Sequence, residues 1–115
     1  MTTVEFYTQG SRICGFECRG HTGFAEEGAD ILCSAVTSAV RLVECAVNEV
    51  MGIGAPVRVN GKDASILLRI PDGLNSEAET LCQTVLSALM TYLAELHVEH
   101  PNNIEVIDTD AEEQE

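Results

Sequence analysis

ICGFECRGHTGFAEEGADILCSAVTSAVRLVECAVNEV, residues Ile13 to Val50, holds the change of period that decides the fold. Ile13 to Arg19 reads as a strand. Gly20, Gly23 and Gly28 then punctuate a loop that carries His21. From Ile31 to about Met51 the spacing becomes helical. Ser34, Thr37, Ser38, Arg41, Glu44, Cys45 and Asn48 form one polar stripe, and Ile31, Leu32, Ala35, Val36, Ala39, Val40, Leu42, Val43, Ala46, Val47 and Val50 fill the remaining arc. Such a helix buries a wide face, and Gly52-Ile53-Gly54 stops it.

Reading outward, Val4 to Tyr7 alternates as a strand and Gln9-Gly10 turns it back onto Ile13 to Arg19, so the chain opens with a hairpin. Beyond the helix, Val57–Val59 and Ala64–Ile70 flank Asn60-Gly61-Lys62-Asp63, a strong hairpin signal. Ser76-Glu77-Ala78-Glu79 offers a capping box, with Ser76 as the cap. Ala78, Leu81, Cys82, Val85, Leu86, Leu89, Met90, Leu93 and Leu96 mark a second amphipathic helix, and Ile104 to Ile107 a last strand. The order is ββαββαβ: an α+β, two-layer fold, mostly antiparallel, with two helices on one face of the sheet. Residues 1–107 form the single domain, and 108–115, with five carboxylates, read as a disordered acidic tail.

Composition narrows the function. Six Lys and Arg stand against nineteen Asp and Glu, a net charge of −13. Binding nucleic acid or an anionic membrane surface relies on clustered cations, so neither partner is expected. A basic partner would be attracted. No run reaches the roughly 20 apolar residues of a membrane span. The N-terminus lacks a signal-peptide pattern. A cytoplasmic protein with five reduced cysteines is expected.

Chemistry concentrates between His21 and Cys33. A thiol attacks as its thiolate, which a helix N-terminus and a neighbouring imidazolium both favour. Asp30 is a favoured N-cap residue, which makes Ile31 the first helical residue and Cys33 the third. Unpaired N–H groups of that first turn, around Cys33 and Ser34, would also suit an oxyanion. His21, on a loop long enough to fold back, would serve as base and acid, and Asp30 would orient it or cap the helix.

The same atoms allow a metal reading, since Cys14, Cys18, His21 and Cys33 form C-x3-C-x2-H-x11-C. Geometry opposes it. On an extended strand Cys14 and Cys18 share a face but stand roughly 13 Å apart, whereas two thiolates on one zinc are separated by no more than about 4.6 Å. No metal or cofactor is therefore expected. Cys45 and Cys82 read as packing residues, and His97 and His100 as structural groups at a helix end.

Gly20-His21-Thr22-Gly23 followed by Gly28-Ala29-Asp30-Ile31-Leu32-Cys33-Ser34-Ala35 resembles the signature of the bacterial ribosomal-processing cysteine proteases, the Prp family. The resemblance implies a cysteine endopeptidase with Cys33 as nucleophile and His21 as its partner. It also places Asp30 at the family's aspartate, Gly20, Gly23 and Gly28 in a substrate-binding loop, and the chain in a homodimer. The implied substrate is the precursor of the large-subunit ribosomal protein numbered twenty-seven, cut after an aromatic residue of its N-terminal extension. Such a substrate is basic and complements the acidic chain. A second reading, in which the thiols are incidental, is a non-enzymatic acidic binding protein of ribosome assembly.

Overall fold

The computed structural model describes residues 1–20, 27–61 and 65–110, the side chains of residues 27–31 excepted. Strands β1 (Thr2–Gln9) and β2 (Arg12–Arg19) form the opening hairpin, followed by helix α1 (Glu27–Glu44), which continues as π-helix from Cys45 to Val50. Strands β3 (Val57–Asn60) and β4 (Ser65–Arg69), helix α2 (Ser76–Glu99) and strand β5 (Ile104–Asp110) complete the chain. The sheet order is β3-β4-β2-β1-β5. Every pairing is antiparallel except β1 with β5, which is parallel. This is the α+β architecture expected from the periodicities.

Burial along the strands is one-sided, because successive side chains of a strand point to opposite faces. Val4, Phe6, Phe16, Cys18, Leu68 and Ile104 line the covered face. Val36, Val40 and Val47 of the first helix and Leu86 and Leu93 of α2 join them in one core cluster. Phe6 pairs with Phe16 across the strands, their ring centroids 5.9 Å apart and tilted by 52°. Such aromatic pairs contribute about 0.5–1.5 kcal/mol beyond their buried area. On α2 the buried residues are Cys82, Leu86, Leu89, Leu93 and Leu96, steps of four and three that keep one stripe on the sheet. By length and composition α2 is apolar enough to cross a membrane, but that stripe is packed in the core.

Several local expectations are corrected. The first helix begins at Glu27, not Ile31. Its π-helical end, where the Met51 N–H donates to the Ala46 carbonyl, rotates the tail off the 3.6-residue period. Val50 is consequently 79 % exposed, and Leu42, also assigned to the buried arc, is 69 % exposed. Asn48 ties this end down, accepting from the Ala55 N–H at 2.7 Å and donating to the Ala55 carbonyl at 3.1 Å. The cap of α2 is Asn75 rather than Ser76: its side-chain oxygen accepts from the Ala78 N–H at 2.8 Å. Glu79, freed of capping, instead accepts from Arg12 Nε at 2.7 Å. Cys82 is buried as expected, whereas Cys45 is exposed. Asp108 to Asp110, assigned to the tail, extend β5 beside Phe6, Tyr7 and Thr8; residues 111–115 lie outside the described residues.

The uncovered face carries a polar cluster that couples stability to pH. Glu5 accepts from the Thr109 hydroxyl at 2.6 Å and from Arg19 at 2.9 Å. The Thr109 hydrogen bond, more than Arg19, holds its carboxyl below the usual range. A carboxyl whose folded value lies below its unfolded one contributes stability above the unfolded value, and loses it as pH falls through the folded one. Thr109→Val is therefore expected to lower stability most at neutral and alkaline pH, with the difference from the wild type narrowing as pH falls through the acid range. Melting curves from alkaline to acid pH check this, and a difference that stays constant or grows toward acid would contradict it.

Candidate active site

Three segments meet at the head of the sheet. Strand β2 ends at Arg19 and is followed by Gly20, whose φ of +89° a side chain rarely adopts. A Cβ there would stand 2.5 Å from the Met1 carbonyl oxygen, so only glycine lets the two strand ends lie together. Beside Met1, the Thr2 N–H donates to the Asn103 carbonyl at 2.9 Å, fastening β1 to the start of β5. The first helix brings Cys33 over this corner, where the Thr2 hydroxyl lies 3.5 Å from Cys33 Sγ.

The earlier helix start changes the electrostatics expected at the thiol. With Glu27 as the first helical residue, Asp30 is the fourth and Cys33 the seventh. Asp30 is thus within the first turn and not its cap. The N–H groups of Cys33 and Ser34 each have a helical carbonyl four residues back, at Ala29 and Asp30. Backbone N–H groups of Cys33 and Ser34 are accordingly committed to the helix, which removes them as oxyanion donors. The dipole's effect fades beyond the first turn, so the helix end lends the Cys33 sulfur little support. Gly28 belongs to the helix rather than to the loop. His21 and Gly23 lie outside the described residues.

The other cysteines differ in setting. Cys33 is half-buried, Cys14 half-buried, and Cys18 and Cys82 buried. Cys14 falls at a β-bulge, where Tyr7 pairs with Gly15 and Thr8 already with Ile13. The extra residue shifts the alternation, so Cys14 and Cys18 do not share a face as expected. Burial, and then the charge of Cys33, push the Cys18 thiol up to about 12. Cys18 is therefore neutral at physiological pH and poorly nucleophilic. At the far end, His97 Nδ1 lies 2.7 Å from the Ile104 carbonyl, a structural contact between α2 and β5. Thr2 escaped sequence reasoning because it stands 31 residues from Cys33, and only the pairing of β1 with β2 brings them together.

A two-layer α+β domain with a half-buried thiol on its first helix, and a histidine twelve residues before it in the sequence, has the frame of a cysteine peptidase. The chain matches the family described as Cysteine protease Prp over residues 1–105. It is 30 % identical over 97 residues to the Ribosomal processing cysteine protease Prp of Bacillus subtilis (strain 168), covering 82 % of this chain and 84 % of that protein. The fold superposes on that of the essential ribosomal processing protease Prp of S. aureus in complex with a substrate peptide, with a TM-score of 0.82 at 16 % identity, over 95 % of this chain and 100 % of the other. The S. aureus enzyme with a covalently linked product peptide gives 0.73 at 20 % identity, over 95 % and 100 %. The chain belongs to the Prp family of cysteine proteases.

Proposed function

We propose that this protease removes the N-terminal extension of a large-subunit ribosomal protein, the one numbered twenty-seven, cutting after an aromatic residue. The observation that carries the reading is the match to the Prp family across residues 1–105, a span that includes the Gly20-to-Ala35 signature. The name of the Bacillus subtilis relative, a ribosomal processing protease, supports the substrate class. So does a net charge of −13, which attracts a basic substrate.

In this mechanism the Cys33 thiolate attacks the scissile carbonyl carbon, forming a C–S bond and an oxyanion. Collapse of that intermediate breaks the C–N bond, and the leaving amine takes a proton from the His21 imidazolium. Water then attacks the thioester while His21 accepts its proton, releasing the new carboxylate and restoring Cys33. Asp30, three residues before Cys33 and so on the neighbouring turn of the same helix face, orients the imidazole.

The protein works in the cytoplasm as a homodimer. An apolar groove of about 340 Å³ between the two helices, lined by Ala39, Leu42, Val43, Val85, Leu89 and Tyr92, supports self-association. Leu42 and Tyr92 on its rim are 69 % and 45 % exposed. Competitive alkylation at neutral pH tests the assignment of the nucleophile. Cys33 is expected to react well before Cys14 and the more exposed Cys45. Labelling ordered by exposure alone, with Cys45 first, would contradict it.

A further inference from the structure

Among the described residues, Thr2 is the one polar side chain that is buried, at 5 % exposure. A buried hydroxyl left without a partner costs free energy, and no buried side-chain oxygen or nitrogen among the described residues lacks one. The partner of this hydroxyl is Cys33 Sγ at 3.5 Å, a reasonable separation for an acceptor as large as sulfur. We propose that Thr2 is a positioning residue for the peptidase reaction: its hydroxyl donates to the Cys33 thiolate, holding the sulfur in place and favouring its ionised form. This rests on Cys33 being the nucleophile.

The chemistry of the pair supports a one-way role. A thiol can donate or accept, weakly in each case. A thiolate can only accept, and its charge strengthens the bond. The hydrogen bond therefore gains most when Cys33 is ionised, and a bond that favours the charged form increases its population. The helix N-terminus lies too far back along α1 to supply that support, since Cys33 is its seventh residue. Cys18, the other sulfur within electrostatic reach, stays protonated and adds no repulsion.

Thr2 is also held where precision is possible. It stands at the head of β1, between β2 and β5, with register partners at Ile104 on one side and, one residue on, Thr3 opposite Arg19 on the other. Its own N–H is fixed to Asn103, and Gly20 admits the preceding carbonyl. A donor on a paired strand holds its geometry better than one on a loop.

Thr2→Val keeps the side chain's shape and removes the hydroxyl; Thr2→Ser keeps the hydroxyl. The rate of iodoacetamide labelling at Cys33, followed by peptide mass mapping from mildly acidic to mildly alkaline pH, reads the effect. For Thr2→Val the midpoint of the profile is expected to rise by about one pH unit, which leaves about tenfold less thiolate at neutral pH. The more basic thiolate is about threefold more nucleophilic, so labelling falls about threefold. Thr2→Ser should follow the wild type, and the melting temperature of Thr2→Val should not fall, which a merely structural hydroxyl would not allow alongside a shifted profile. If valine is not accommodated, Thr2→Ala gives the same comparison. A Thr2→Val or Thr2→Ala profile that superimposes on the wild type, or a Thr2→Ser profile displaced as far as theirs, would overturn the proposal. Processing by the Cys33→Ala protein separates the two failures: cleavage there removes the nucleophile reading itself, whereas its loss with an unshifted Thr2→Val profile removes only Thr2.

Discussion

Cys33→Ala is expected to abolish precursor processing while leaving the protein folded. The side chain is half-buried, so losing one sulfur removes little packing. In the proposed mechanism what disappears is the atom that forms the covalent intermediate, and no other thiol is placed to replace it. Cys18 is buried and protonated, Cys82 is buried within the helix–sheet core, and Cys14 and Cys45 lie on other elements. His21→Ala should have an effect of the same order, about a thousandfold or more, because the leaving amine is then not protonated and the attacking water has no base. Groups that act as one unit are not additive, so the double variant should be no slower than the slower single variant. Cleavage assays alongside thermal melts check all three. Processing by Cys33→Ala at the wild-type rate would contradict the mechanism.

Gly20→Ala is expected to be the most damaging single-methyl change near the site. At φ of +89° an alanine is strained, by about 1–2 kcal/mol. Its Cβ would also meet the Met1 carbonyl oxygen at 2.5 Å, and moving a strand end to relieve that costs about 1–3 kcal/mol more. Gly10 provides the control, because at φ of +60° its Cβ would meet nothing within 4 Å. Gly10→Ala should therefore lose only the conformational part. The melting temperature should fall by more than about 10 °C for Gly20→Ala and by roughly half of that for Gly10→Ala. Processing should fall with it, since Met1 and Thr2 are the atoms displaced. Equal losses at the two glycines would show that the close approach to Met1 is unimportant.

Elements whose signal is local were legible in the chain. Alternation marked the opening strand, turn residues marked the hairpins, and apolar spacing marked both helices, because that spacing records which face meets the core. Boundaries were less legible. Asp30 looks like a cap because the apolar repeat starts after it, yet Glu27 to Asp30 are helical before the helix reaches the sheet. An acidic first turn complements the helix dipole and needs no apolar residue to form. Asn75 and Ser76 are both good caps, and Glu79 three residues after Ser76 suggested the wrong one. Arg12, distant in sequence, claims that carboxylate. The parallel pairing of β1 with β5, which carries Asp108 to Asp110 into the sheet, has no local signature at all.

For the site, residue types and spacing pointed to Cys33 among five thiols, and in the structure Cys33 is half-buried with the Thr2 hydroxyl 3.5 Å from its sulfur. The source of support for the sulfur was not legible. Sequence placed it on the helix N-terminus and on the His21 imidazolium, and the helix start one turn earlier takes the first of these away. Thr2 replaces it through a contact that exists only once the sheet has formed.

The most direct measurement incubates the protein with the full-length precursor of ribosomal protein number twenty-seven and determines the mass of the product's new N-terminus. A single cut immediately after an aromatic residue of the extension, absent with Cys33→Ala, is the predicted result. An intact precursor, or the same cut made by Cys33→Ala, would contradict the account.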